Sequence, residues 1–340
     1  MIITRTPFRI SFFGGGTDYP IYYREHGGVV LSATINKYCY VTCRYLPPYF
    51  SHKYLIRYSR KELPQQVDDI QHPSVRECLK YLGIKDGIEM VHTSDIPAMS
   101  GIGSSSAFTI GFLNALYALK GKMVTKRQLA LEAIHVEQEL IGESVGSQDQ
   151  VAAAFGGFNR IEFGGLQKIF VQPVTLNQDT VQYLQDCLLL YFTGFSRIAE
   201  HIAREQIAVT PKKVIELKTM KDMVDESLNI INGNVASVHD FGKLLHESWQ
   251  LKRSLTGSIS NDHIDRIYEK ARKAGALGGK ICGAGGGGFM VLFVPPEKQS
   301  EVNKVLSDLL LVPFRFEHLG SHIIHYSDSS SMEQGRYVPD

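Results

Sequence analysis

The sequence lacks any long apolar run, any surplus of one charge and any even set of cysteines. Its longest apolar stretches, Cys187 to Phe192 and Phe289 to Pro296, fall far short of the ~20 residues a membrane helix needs. The opening Met1-Ile2-Ile3-Thr4-Arg5 has no basic-then-apolar layout of a signal peptide, so the expectation is a cytoplasmic protein with no membrane partner. Thirty-six basic against 35 acidic residues give a formal charge of +1. That leaves no excess to neutralise a phosphate backbone, so no nucleic-acid partner is expected. Five cysteines are an odd number, and no second pair or nearby histidine completes a zinc site around Cys39 and Cys43. They read as reduced, buried apolar residues. No internal repeat or low-complexity tract is present.

What remains is an ordinary globular composition, 44% hydrophobic and 21% charged over 340 residues, long enough for two domains or one large bilobed one. β-branched and aromatic character predicts strands at Phe8–Phe13, Val29–Ile35 and Tyr38–Arg44, then a strand with a polar loop across Phe50–Gln66. A helix over His72–Leu82 and a strand over Ile88–His92 follow, leading into a loop, Thr93–Gly103. Helices are expected at Ser104–Leu119 and Lys126–Ile141, the latter with an apolar stripe of Leu129, Ala133, Val136 and Leu140. The second half reads as a strand, Cys187–Phe192, and helices over Ser196–Ile231, Ser237–Ser254 and His263–Ala274. A strand at Phe289–Val294 and a closing helix–strand unit complete it. The domain boundary is placed near Gln172–Asp179, dividing the chain into 1–175 and 176–340, and the tail after Ser327 reads as loose.

Three glycine-rich segments carry the chemistry. Pro97-Ala98-Met99-Ser100-Gly101-Ile102-Gly103-Ser104-Ser105-Ser106 runs a loop into a helix start, where free N–H groups and the helix dipole favour an anion. Its serines can bind phosphate oxygens or ligate Mg²⁺; an ordinary serine cap explains one of them, not three. The Gly-Lys-Ser/Thr ending of a Walker loop is absent. Gly283-Ala284-Gly285-Gly286-Gly287-Gly288 nominally fits a dinucleotide fingerprint, but a strand follows it where a helix is required, which disfavours a dinucleotide-dependent oxidoreductase. Phe8-Arg9-Ile10-Ser11-Phe12-Phe13-Gly14-Gly15-Gly16-Thr17-Asp18 places a cation inside an apolar strand, where it needs a partner. Glu137 sits on the border of the apolar stripe of its helix and Asp149 lies beyond that helix. Spacing alone does not choose Glu137 over Glu132 or Glu139.

In this order the segments resemble the GHMP kinases along nearly the whole chain: Pro7-x-Arg9-x₄-Gly14-x₂-Thr17-Asp18, then Pro97-x₃-Gly101-x-Gly103-Ser104-Ser105, then Gly283 to Gly288. The resemblance implies an α+β fold. Its N-terminal domain is a left-handed β-α-β unit (ribosomal-protein-S5-domain-2-like), its C-terminal domain is ferredoxin-like, and the site lies between them. It implies ATP bound by Pro97, Ser100, Gly101, Ile102, Gly103, Ser104, Ser105 and Ser106. Mg²⁺ would be held by Ser105 with Glu137, with Ser104 and Ser106 open as alternatives to Ser105. Asp149 is implied as the base, with Arg9 beside it to keep it ionised and to steady the transferring phosphoryl. Substrate contacts are implied for Gly15, Gly16, Thr17, Asp18, Gly285 and Gly286.

Within the family, His72-Pro73-x-x-Arg76 and the run from Gly146-x-Gln148-Asp149-Gln150 to Gly156-Gly157-Phe158-Asn159 look like the branch acting on D-glycero-D-manno-heptose 7-phosphate. The expected product is the 1,7-bisphosphate. A kinase of a free fucose- or galactose-type sugar is the alternative, although Gly15 stands where galactokinases carry a glutamate. A non-catalytic sugar sensor would have lost the acidic pair, which is present. Arg76 and the pair Lys252-Arg253 are candidates for a distal phosphate and are equally readable as solvated helix faces. A monomer or homodimer is expected.

Overall fold

A computed structural model of the chain describes residues 1–98, 100–164, 169–194, 199–233 and 235–327. The long β-branched stretches at the start form one sheet. Its strands are β1 (Ile2–Phe13), β2 (Gly28–Tyr45), β3 (Leu55–Arg57), β4 (Lys61–Glu62), β5 (Ile88–Ser94), β6 (Phe158–Phe163) and β7 (Ile169–Pro173). The second sheet holds β8 (Leu188–Phe192), β9 (Gly278–Ile281), β10 (Phe289–Phe293) and β11 (Leu310–Leu311). The last strand, β12 (His322–Tyr326), returns to the first sheet and pairs antiparallel with β1.

The two strands expected across 29–44 are one strand. β2 runs unbroken through Asn36 and Lys37, and the irregularity is absorbed as a bulge opposite Pro7 and Phe8. This length lets one edge of β2 pair with β1 while its other edge serves β6 first and β5 later. The strand expected within Phe50–Gln66 shrinks to the short β3/β4 hairpin, with β3 parallel to β5.

The helices are α1 (Pro20–His26), α2 (Pro73–Tyr81), α3 (Ser104–Leu119), α4 (Lys126–His135), α5 (Gln148–Phe155), α6 (Gln178–Asp186), α7 (Ala199–Val209), α8 (Val214–Ile231), α9 (Val238–Arg253), α10 (Asp262–Lys273) and α11 (Gln299–Val305). Ser196, the expected start of a long helix, lies outside the described residues, as does the tail after Ser327. That helix is divided by a 3₁₀ turn at Thr210–Lys212 around Pro211, whose ring cannot continue the α ladder. α1, α5 and α6 are short and were not anticipated. α3 is apolar on every side and is buried almost throughout, as expected of a central helix. It can lie against β1 because Gly111 has no side chain there: a Cβ would stand 2.8 Å from Thr6 Oγ1.

The second sheet has the order β11-β8-β10-β9, antiparallel throughout. Helices α7 to α10 link β8 to β9, and α11 links β10 to β11. This is the ferredoxin-like β-α-β-β-α-β arrangement. One apolar cluster spans both sheets, joined where Phe12 and Phe13 at the end of β1 meet Phe241 of α9 edge-on, at 5.6 and 5.0 Å. A second, with Tyr191, Ile281, Met290 and Trp249, belongs mainly to the second sheet and its helices. The five cysteines are buried and free.

Candidate active site

The end of β1, the loop into α3, the start of α5 and the turn after β9 converge on one cleft. Arg9 is carried there because the pleat of β1 presents it on the face covered by the loop before α3. Its backbone N–H donates to the Ile102 carbonyl (3.1 Å) and its Nη1 donates to the Gly101 carbonyl (2.8 Å). Nε and Nη2 form a fork onto the two carboxylate oxygens of Asp149, each at 2.7 Å. Arg9 is 3% exposed while the Asp149 side chain is 24% exposed. The cation is therefore fixed and the carboxylate still opens to the cleft.

Asp149 lies beyond the helix that carries Glu137, as expected, in the first turn of a further helix, α5. Its neighbour Gln150 turns inward, where its Nε2 donates to Glu137 Oε2 at 2.5 Å. Glu137 is completely buried. The reason is a change of helical pitch: after His135 the chain continues as a π-helical turn, Val136–Ile141. The wider turn rotates Glu137 into the interior and Leu140 outward to 40% exposure, against the stripe that α spacing predicts. Burial pushes the Glu137 carboxyl up to about 7, opposed by the nearby Thr109 hydroxyl and by the hydrogen bonds from Ser106 and Gln150. The serine set against Glu137 is Ser106, whose Oγ donates to Oε2 at 2.8 Å. Ser105, the expected partner, is exposed on the next face of the helix start and lines the cleft. Glu137 Oε1 is buried with no hydrogen-bond partner. A carboxylate oxygen without a hydrogen-bond partner among the described residues, beside the Ser106 hydroxyl, fits the sparse protein donor set that Mg²⁺ takes.

The cleft has a volume of about 630 Å³ and is lined by Arg9, Gly15, Gly16, Asp18, Asp149 and Lys252, among others. Asp18 is held by backbone amides: Gly16 N–H donates to Oδ1 (2.9 Å) and Gln148 N–H to Oδ2 (3.4 Å). Its carboxyl is raised above the ordinary range, by burial first and by the charge of Asp149 in addition. Residue 146 must be glycine for this approach, since a Cβ there would stand 1.9 Å from Asp18 Oδ2. Three further buried polar atoms of cleft-lining residues have no partner: Ser11 Oγ, Gln148 Oε1 and Gln206 Nε2. Buried groups of this kind are satisfied by ordered water or by a ligand. Sequence reasoning assigned none of them a role, and nothing in the pattern around Gln206 marks it out.

Several expected contacts lie elsewhere. Thr17 spends its hydroxyl on the Gly14 and Val29 carbonyls at 2.8 and 2.9 Å, pinning the turn to β2 because both carbonyls are buried. Gly285 and Gly286 back onto Ile259, whose carbonyl accepts from Gly286 N–H at 3.0 Å. Gly283 and Ala284 are the members of that segment lining the cleft. Arg76 is held on α2 by Glu77 and the Ile70 carbonyl, each at 2.8 Å, and Arg253 is paired with Asp265 at 2.8 Å; neither lines the cleft. Ile102 is a core residue that contributes its carbonyl. Ser100 is buried, donates to the Pro97 carbonyl at 2.8 Å, and accepts Phe289 N–H through its own carbonyl. A second cavity of about 610 Å³ lies on the other side of the loop, lined by Tyr58, His72, His92, Pro97, Ser104 and Phe108 among others; Ser105 borders both cavities.

Models of the GHMP kinase N-terminal and C-terminal domains match residues 73–157 and 234–309. The D-glycero-alpha-D-manno-heptose 7-phosphate kinase of Campylobacter jejuni is 32% identical, across 90% of this chain and 93% of that protein. The chain is a GHMP kinase. It is accordingly an ATP-dependent sugar kinase, a phosphotransferase with an alcohol group as acceptor. Solved members share the fold of this kinase. A D-glycero-D-manno-heptose 1-phosphate kinase from Bacteroides thetaiotaomicron superposes with a TM-score of 0.78 at 24% identity, covering 96% of this chain and all of that one. A Lactococcus lactis galactokinase complexed with galactose gives 0.71 at 20% identity, covering 94% of each chain. Among the described residues of this kinase no helix is long and apolar enough to cross a membrane.

Proposed function

We propose that this kinase phosphorylates the anomeric C1 hydroxyl of D-glycero-D-manno-heptose 7-phosphate, giving the 1,7-bisphosphate for nucleotide-activated heptose and surface polysaccharide synthesis. The observation that carries the reading is the full-length likeness to the Campylobacter heptose 7-phosphate kinase. The forked Arg9–Asp149 pair lining the cleft supports it.

In this reading the sugar lies in the 630 Å³ cleft, its hydroxyls taken by Asp18, Gln148, Gln206 and Ser11. Asp149 accepts the proton of the attacking hydroxyl. An anomeric hydroxyl is more acidic than an ordinary alcohol, so a plain aspartate serves as its base. Arg9 holds that carboxylate in position and faces the transferring phosphoryl, where positioning and charge stabilisation are most of what catalysis requires. Amides and hydroxyls from Gly101 to Ser106 cradle the ATP phosphates. The nucleotide base enters the second cavity, between His72, His92, Tyr58 and Phe108, whose rings already pack on one another at 4.7 to 5.0 Å. Glu137 and Ser106 are the residues that would hold Mg²⁺, which when bound neutralises phosphate charge. We also take 1–175 and 176–340 as the N- and C-terminal kinase domains, with β12 crossing back to the first.

An ADP-release assay tests the substrate, comparing heptose 7-phosphate with free heptose, galactose and fucose. The expected result is a preference for heptose 7-phosphate and a product phosphorylated at C1. Preference for free galactose or fucose overturns the substrate and leaves the kinase.

A further inference from the structure

Two buried lysines in the cleft have no carboxylate beside them. Lys252, in the last turn of α9, and Lys280, in β9, are 5% and 2% exposed and both line the cavity. Lys252 Nζ donates to the Gly283 carbonyl at 2.5 Å and Lys280 Nζ to the Phe12 carbonyl at 3.1 Å. Among the described residues neither ammonium comes within 4.0 Å of a carboxylate oxygen. Each has three N–H donors and spends one.

The surroundings do not neutralise them. Asp149 has both oxygens taken by Arg9, and both oxygens of Asp18 receive backbone amides. The charged and titratable neighbours that act on the two lysines are Arg9 from β1, Asp18 after it, Asp149 on α5 and Cys282 after β9, together with each other. Burial first, then the repulsion of Arg9, pulls Lys252 down to about 8; burial and the repulsion of Lys252 pull Lys280 well below its ordinary value. Three basic side chains against two engaged carboxylates in a buried cleft make it costly to keep both lysines charged, a cost that an anion between them offsets.

We infer that Lys252 and Lys280 form a binding site for a phosphoryl group, whose anionic oxygens take the unspent N–H donors. The inference rests on the reading of the cleft as the acceptor-sugar site. Two sources carry this chemistry: the phosphoryl group in transfer from ATP, and a phosphate already on the sugar. Lys252 holds Gly283, which lies against Gly101 of the phosphate loop; Lys280 is anchored at Phe12, next to Ser11 in the cleft wall.

The test is steady-state kinetics of Lys252→Met and Lys280→Met in the full chain, with ATP, heptose 7-phosphate and unphosphorylated heptose varied in turn. Lys243→Met, at an exposed lysine of α9 paired with Asp240, is the control and keeps wild-type kinetics. Removing an unpaired buried charge should leave the melting temperature equal or higher, while kcat/KM falls roughly 10²-fold. A loss confined to heptose 7-phosphate and carried by KM assigns the site to the sugar's phosphate. An equal fall in kcat with both sugars assigns it to the transferring phosphoryl. Lys252→Gln removes the charge but keeps a donor for Gly283, so it decides the matter if the Met variant does not fold. Folded variants with wild-type constants for both sugars overturn the inference and leave the lysines as struts. A wild-type preference for unphosphorylated sugars would instead sink the heptose reading, and the effect on kcat would still test the lysines.

Discussion

The loop over 97–106 and the segment Gly283–Gly288 both bring backbone close to something, and they differ in what that is. In the first, Gly103 faces the Arg9–Asp149 pair: a Cβ there would stand 3.3 Å from Asp149 Oδ2 and 3.4 Å from Arg9 Cγ. In the second, Gly283, Gly285 and Gly288 face other backbone, as Gly101 of the first loop also does. A Cβ at Gly288 would lie 2.4 Å from the Ser100 carbonyl oxygen, and one at Gly285 2.5 Å from that of Ile259. The second loop therefore supports the first from behind. Glycine content reports that backbone comes close to something, and only the fold says whether that is ligand or chain.

The largest effect should come from the ligand-facing side of this comparison. Asp149→Asn is expected to fold and bind ATP by titration calorimetry, yet lose ~10²–10⁴-fold in turnover. Near-normal turnover would remove the base from the mechanism and leave positioning alone.

Next is the buried acid behind the loop. Glu137→Gln should raise the Mg²⁺ concentration for half-maximal rate by roughly 10-fold or more. Glu132→Gln should not, because Glu132 is occupied by Tyr117 and Gln128, nor should Glu139→Gln at its exposed site. The same carboxyl sets a pH dependence. Its value of about 7 in the fold against 4.5 unfolded means the native state holds the proton more tightly. Without metal, that contribution to stability is full below pH 4.5 and is lost as pH rises to about 7, a span of roughly 3 kcal/mol at most. Denaturant melts at pH 5 and 7 check this, since Glu137→Gln should flatten that part of the dependence. An unchanged slope would mean the carboxyl is already ionised at pH 5.

The smallest effects separate the two halves of the supporting segment. Gly288→Ala should raise KM for ATP several-fold, because it displaces Ser100. Gly285→Ala should cost about 1–3 kcal/mol of stability at its positive φ while leaving KM for ATP unchanged. Equal kinetics in both would mean the segment does not support the phosphate loop.

Much of this was legible in the sequence because it depends on local rules. The strand–glycine–Asp run from Phe8, the serine-rich start of α3 and the match to the GHMP kinases each follow from a few neighbouring residues. Arg9 announced a partner simply by being a charge in an apolar strand. Lys280 gave the same signal within the buried Gly278–Ile281 strand and went unread. Glu137 stood beside Glu132 and Glu139 without distinction, because α periodicity does not foresee a π turn. Thr17 and Arg76 were assigned to substrate because a sequence does not show what a hydroxyl or guanidinium has already bonded.

By itself, then, the sequence determined the longer strands and helices and the family they compose, since propensity, periodicity and motif spacing act over short stretches of chain. The short elements α1, α5, α6, β6, β7 and β9 had no such signal. Only the tertiary structure decided that Ser106 meets Glu137, that Gly285 faces Ile259, and that two lysines 28 positions apart enter one cleft with Arg9. Those outcomes depend on where distant segments cross and which hydrogen bonds are already spent. That is settled by packing over the whole chain, with no local signature.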